Sequence, residues 1–88
     1  MKVIKRDGRI EDFDKKKVYN AAYRSCMNAH LDKGYSDKIA KEVVRDVLSV
    51  VRGKKKIKSN DLFQETVKII KKYNYDAAFL YATHRDVS

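Results

Sequence analysis

The chain has 88 residues, of which 43% are hydrophobic and 38% charged, with a net charge of +9; that suits one domain with a modest core and an anionic partner. The lone Cys26 excludes an internal disulfide and a multi-cysteine zinc site, and the apolar residues, spread at helical spacing, exclude a disordered tail. No apolar run approaches the ~18 residues that span a bilayer, and no signal peptide precedes Lys2, so a cytoplasmic protein without a membrane partner is expected.

The chain opens on two short stretches, residues 2–6 and 9–12, around Asp7-Gly8. That pair can supply the positive φ angles of a two-residue turn, so the stretches are predicted to form a hairpin. Lys5 and Arg6 are neighbours on its first strand. Their side chains point to opposite faces but are long enough to converge on one polyphosphate.

Phe13-Asp14 leads into a helix from about Lys15 to His30, with Asp14 as N-cap. Val18, Ala22 and Cys26 line one face, flanked by Tyr19, Tyr23 and Met27. On that stripe Cys26 is a structural thiol and not a nucleophile. Lys17 falls in the first turn, where free N–H groups and the helix dipole favour an anion.

Lys33 to Ser36 reads as a turn, with Gly34 stopping the first helix and Ser36 capping the second. The second helix is expected from about Asp37 to Val51, with Ile39, Ala40, Val43, Val44, Val47, Leu48 and Val51 in a regular amphipathic pattern; it ends near Arg52-Gly53. A basic loop then leads to Ile57-Lys58, a candidate short third strand. Ser59 is expected to cap a third helix, Asn60 to Tyr73, with Leu62, Phe63, Val67 and Ile70 inward. Asn74 breaks it, and a fourth helix from Tyr75 or Asp76 to Asp86 packs Ala77, Ala78, Leu80 and Tyr81. The expected fold class is α+β: a small hairpin on a base of about four helices, as one domain over residues 1–88.

Enzyme signatures are missing. Gly53-Lys54 lacks the rest of a phosphate-loop motif, no GxGxxG or nucleophile elbow occurs, and His30 and His84 are isolated. What remains is a set of cations, Lys5, Arg6 and Lys17, between which a triphosphate could lie. Two other readings stand beside it. The charge and the runs Lys15-Lys16-Lys17 and Lys54-Lys55-Lys56 suit a nucleic-acid-binding module. Val43, Val47 and Val51 suit an oligomerisation face.

The ordered string Val3-x-Lys5-Arg6-Asp7-Gly8, Glu11-x-Phe13-Asp14 and Lys17-Val18 resembles the opening of ATP-cone domains. Ile57-x-Ser59-x-Asp61-Leu62 resembles the family's entry to its third helix, and Ala78-x-x-Tyr81-x-x-x-Arg85-Asp86 its closing helix, so the similarity covers essentially the whole chain. The resemblance implies a regulatory domain, not itself an enzyme, whose hairpin covers a nucleotide over a helical base. Such domains stand at the N-terminus of ribonucleotide reductases, where ATP and dATP compete, and in the transcriptional repressor of reductase genes.

The same resemblance implies Lys5, Arg6, Lys17 and Ser59 on the phosphates. Val3, Glu11, Phe13, Asp14 and Val18 would surround the adenine, Asp61 would couple to the sugar, and Arg85 is a further candidate. The effector would be ATP or dATP with Mg²⁺ on the phosphates, and no protein metal site is implied. Phe63, Phe79 and His84 depart from common family residues, which bears on the sugar contacts. The repressor's zinc ribbon has no counterpart here, and the short leader is similar to anaerobic-type reductases. The expected partner is therefore the catalytic domain of a parent ribonucleoside-triphosphate reductase, or another cone. The end at Ser88 reads as an excised N-terminal domain or a free-standing cone.

Overall fold

Apolar residues recurring every three or four positions build four helices, and three short stretches build a sheet. The computed structural model describes residues 1–83, in the order β1 (Lys2–Ile4), β2 (Ile10–Asp12), α1 (Lys15–Asn28), α2 (Lys33–Val51), β3 (Lys56–Lys58), α3 (Ser59–Tyr73) and α4 (Tyr75–Thr83). This is the expected α+β architecture. The sheet order is β2-β1-β3. β1 pairs antiparallel with β2, Val3 opposite Glu11, and parallel with β3, Val3 opposite Ile57. The parallel pairing needs a long crossover, which α1 and α2 supply.

The hairpin differs from expectation in its turn. β1 ends at Ile4 and β2 begins at Ile10, so Lys5 to Arg9 form the connection. The Lys5 N–H donates to the Arg9 carbonyl at 2.8 Å, and the Gly8 N–H to the Lys5 carbonyl at 3.0 Å. Within the hairpin Gly8 alone takes a positive φ, 90°. Asp7 does not; its carboxylate accepts from the Arg9 N–H at 3.1 Å and from Arg9 Nε at 2.7 Å. This is a three-residue loop closed by a left-handed glycine, not a two-residue turn. Arg6 consequently sits at the tip and not on a strand.

α1 stops earlier than expected, and Gly34 is not what stops it. His30 takes the left-handed conformation, φ 66°. Its N–H donates to the Met27 carbonyl at 3.0 Å while the Leu31 N–H donates to the Cys26 carbonyl at 3.1 Å. That pair of bonds is a Schellman motif with histidine in the position glycine usually fills. α2 then starts at Lys33, capped by Asp32, whose Oδ1 accepts from the Tyr35 N–H at 2.7 Å. Gly34 lies in the first turn of α2. Ser36 is buried inside that helix, its hydroxyl donating to the Leu31 carbonyl at 3.4 Å.

One further cap is reassigned, and the expected break at Asn74 holds. Ser59 is the first residue of α3 and not its cap; Lys58 precedes it with no side-chain cap bond. Asn74 both ends α3 and caps α4, Oδ1 accepting from the Ala77 N–H at 2.8 Å. α4 is described to Thr83, so the expected extension to Asp86 lies outside the described residues.

The main core joins Val18, Ala22 and Cys26 of α1 to Ile39, Ala40, Val43 and Val47 of α2, with Ile69 and Ile70 of α3 and Ala77 and Ala78 of α4. Val43, Val47 and Val51 are buried within the chain, which removes them as an oligomer face. α3 presents Thr66, Ile69 and Ile70 most deeply, while Leu62, Phe63 and Val67 are half-buried. A second, smaller core of Val3, Val51 and Ile57 lies under the sheet. Phe13 and Leu62 pack against both cores, and so hold the hairpin to the helices.

Candidate functional site

Between the hairpin and the helices lies a cleft of about 410 Å³, within the ordinary range for small-molecule sites. β1 and its extension contribute Val3 and Lys5, β2 contributes Glu11 and Asp12, and the chain then passes Phe13 and Asp14 into α1. α1 runs along the cleft as a stripe, Lys17, Ala21, Arg24 and Asn28, with Val18 and Ser25 beside it. Ser59, Leu62, Phe63 and Thr66 of α3, with Tyr81 of α4, form the opposite wall.

Eight of the residues singled out in the sequence therefore line one cavity: Val3, Lys5, Glu11, Phe13, Asp14, Lys17, Val18 and Ser59. Two others do not line it. Arg6 is exposed at the hairpin tip, and Asp61 is exposed in the first turn of α3. Arg85 lies outside the described residues.

Charge within the cleft is organised around Glu11. Its Oε1 lies 4.0 Å from Lys5 Nζ and 3.6 Å from Lys17 Nζ. Its Oε2 lies 3.8 Å from Arg9 Nη1, whose guanidinium also holds Asp7. One carboxylate on β2 thus bridges the end of β1 to the first turn of α1. Asp12 on the same strand pairs with Lys2. The Lys2 contact, a hydrogen bond and an opposite charge, holds the Asp12 carboxyl below its usual value.

The helix start offers an anion less than its position suggests. Asp14 Oδ1 accepts from the Lys16 N–H at 2.9 Å, and the Lys17 N–H donates to the Asp14 carbonyl at 3.1 Å. With those two amides taken and a carboxylate at the cap, the lysine side chains are the main groups that an anion meets here.

Beyond Lys17, the lining from the helices is uncharged apart from Arg24. Phe63 and Tyr81 stack with ring centroids 5.3 Å apart. Ser25 and Thr66 donate their hydroxyls back to the carbonyls of Ala21 and Leu62, at 2.9 and 2.7 Å, leaving each oxygen able to accept. Lys5 and Lys17 set against Glu11, Asp12 and Asp14, with apolar walls and a few hydroxyls, suit a ligand with an ionic end and a flat apolar end.

Sequence reasoning missed Asp12, Ala21, Arg24, Ser25, Asn28, Leu62, Thr66 and Tyr81 as lining residues. The signal for part of this set was present: Ala21, Arg24 and Asn28 follow Lys17 at four, seven and eleven residues, one face of a helix. No such pattern marked Thr66 or Tyr81, whose place in the wall depends on how α3 and α4 pack.

A family model described as the ATP cone domain matches residues 1–86. Among curated proteins no match was found.

Proposed function

The chain belongs to the ATP-cone family, a family of nucleotide-binding regulatory domains, and we propose that its effector is ATP or dATP, held in the cleft between hairpin and helices. The observation that carries this reading is the convergence of Lys5 and Lys17 from two elements onto one cavity that also contains Val3, Phe13 and Val18. The triphosphate would take Lys5, Lys17 and the Ser59 hydroxyl, with Arg6 reaching it from the hairpin tip. The adenine would lie among Val3, Phe13 and Val18, with Glu11 and Asp14 beside its exocyclic amine. Asp61 and Arg85 would act at the margin. Mg²⁺ would arrive on the phosphates.

The domain would work as an allosteric module for a ribonucleotide reductase of the anaerobic type, docking on its catalytic domain or on another cone in the cytoplasm. No catalysis is assigned to its own residues. Regulation requires the nucleotide to bind one state of the parent better than another, because a ligand with equal affinity for both shifts nothing. A hairpin tied across the cleft is a natural element to differ between such states. No helix among the described residues is long and apolar enough to cross a membrane.

Calorimetric titration with ATP, dATP and GTP, each with magnesium, beside gel filtration, tests the reading. Saturable binding of the adenine nucleotides is expected. A flat trace with all three overturns it. A second reading has its own observation: Arg52, Lys54, Lys55, Lys56 and Lys58 are exposed in and beside β3, and none of them lines the cleft. That surface suits nucleic acid, and its sign would be duplex affinity that falls steeply with salt.

A further inference from the structure

Lys5 and Lys17 are not free to receive a ligand without exchange. Lys5 and Lys17 both lie against Glu11 Oε1, at 4.0 and 3.6 Å. Lys5 follows β1 and Lys17 lies in the first turn of α1, so no local helical or strand spacing brings them together; Glu11 lies between them. The Glu11 side chain is half-buried, 34% exposed, so its contacts are screened less than those of a solvated surface pair.

We propose that Glu11 is an internal competitor for the phosphate subsite, holding Lys5 and Lys17 until an anion displaces it. The inference deepens the nucleotide reading and rests on it. A single phosphate group offers Lys5 and Lys17 little more than the carboxylate they already hold. A triphosphate brings several charges along a chain long enough to meet both ammonium groups at once, and so displaces Glu11 with a net gain. The carboxylate then keeps Arg9, 3.8 Å from Oε2, as its remaining cation. Glu11 thereby raises the threshold for entry equally for every anion that must displace it, and polyphosphate, with contacts to both lysines, has the affinity to clear it.

Inorganic tripolyphosphate and orthophosphate are the probes, because neither carries a base and contacts of Glu11 with adenine do not enter. They are titrated calorimetrically into the unaltered domain, Glu11→Gln and Glu11→Asp, with ATP as a parallel titrant. Glu11→Gln keeps the shape and removes the charge. It is expected to bind tripolyphosphate about 3- to 10-fold tighter, the scale of one or two partly screened ion pairs. Orthophosphate displaces the same carboxylate and should gain by no more than a similar factor. Glu11→Asp, which draws the charge back by one methylene, should fall between, and it carries the comparison if the glutamine variant does not fold. Raising the salt should shrink the difference.

A folded Glu11→Gln that binds tripolyphosphate no tighter than the unaltered domain overturns the proposal and leaves the nucleotide reading standing, provided that ATP binds. ATP binding without tripolyphosphate binding in any form also overturns it, because the phosphates would then lie elsewhere. Failure of the unaltered domain to bind ATP and tripolyphosphate alike removes both readings.

Discussion

The hydroxyl of Tyr73 donates a 2.5 Å hydrogen bond to Asp46 Oδ2, joining the end of α3 to the middle of α2. Arg45 Nη2 lies 3.3 Å from Oδ1 of the same carboxylate and Lys72 Nζ 3.4 Å from Oδ2. The tyrosine bond, ahead of the two cations, holds the Asp46 carboxyl below its ordinary 3.8. The same bond pushes the Tyr73 hydroxyl above 10.0. A depressed carboxyl stabilises the fold fully above 3.8 and loses that contribution as pH falls through the folded-state value. A raised hydroxyl stabilises fully below 10.0 and loses it as pH rises through the folded-state value. Tyr73→Phe should therefore cost about 1–2 kcal/mol across the neutral plateau, or roughly 4–8 °C in Tm per kcal/mol. It should also flatten the acid and alkaline shoulders in urea unfolding. Identical pH profiles for the two proteins would show that the bond contributes nothing.

The two cleft lysines should not count equally. The Lys5 side chain is 21% exposed and that of Lys17 is 72% exposed. Lys5→Ala is expected to weaken ATP about 10- to 100-fold, as for loss of a shielded charged contact. Lys17→Ala is expected to weaken it about 3- to 10-fold, with the greater sensitivity to salt. Arg6→Ala, at the hairpin tip, should match Lys17→Ala if the tip closes over the phosphates. Calorimetry at two salt concentrations orders the three. Unchanged ATP affinity in both lysine variants would remove the phosphate subsite.

Gly8 and Gly34 separate conformational strain from crowding. A Cβ on Gly8 would meet nothing within 4 Å, so only its φ of +90° resists a side chain. Gly8→Ala should cost about 1–2 kcal/mol and lower ATP affinity, because the Gly8 N–H fixes the Lys5 carbonyl at 3.0 Å. Gly8→Asn, which tolerates the left-handed region, should recover much of both. Gly34 has no positive φ, and a Cβ there would lie 3.5 Å from Asp32 Oδ1, an ordinary contact. Gly34→Ala should therefore stabilise by about 0.4–1 kcal/mol. Chemical denaturation reads all three.

The same glycine shows where the sequence was readable and where it was not. The four helices were legible because Val18, Ala22 and Cys26, or Ile39, Val43 and Val47, recur at helical spacing whatever they pack against. The α1–α2 connection was misread because glycine is the commoner left-handed stop and serine a good cap. The chain instead uses His30 and Asp32, and buries Ser36 within the helix. The parallel place of β3 beside β1 could not be read, since that pairing depends on the path of two intervening helices. Eight of the site positions gathered in one cleft because they flank the hairpin and the starts of α1 and α3. Thr66 and Tyr81 escaped notice because only the packing of α3 and α4 brings them opposite α1.

Cys26 turns the core into an independent measure of ligand binding. Its side chain is 0% exposed, and burial pushes the thiol up, away from the reactive thiolate. In the folded protein a thiol reagent should react far more slowly than with an unstructured cysteine, at a rate set by opening of the core between α1 and α2. Where reclosing outpaces labelling, that rate follows the population of the open form. A nucleotide that binds only the folded domain lowers the population by mass action, about 100-fold at a concentration 100 times its Kd. ATP and dATP should therefore protect Cys26 in proportion to concentration, although no ligand contact is made by the thiol itself. GTP should protect less. Labelling at the rate of a free thiol would place Cys26 outside the core, and protection that ignores ATP concentration would remove adenine nucleotide as the effector.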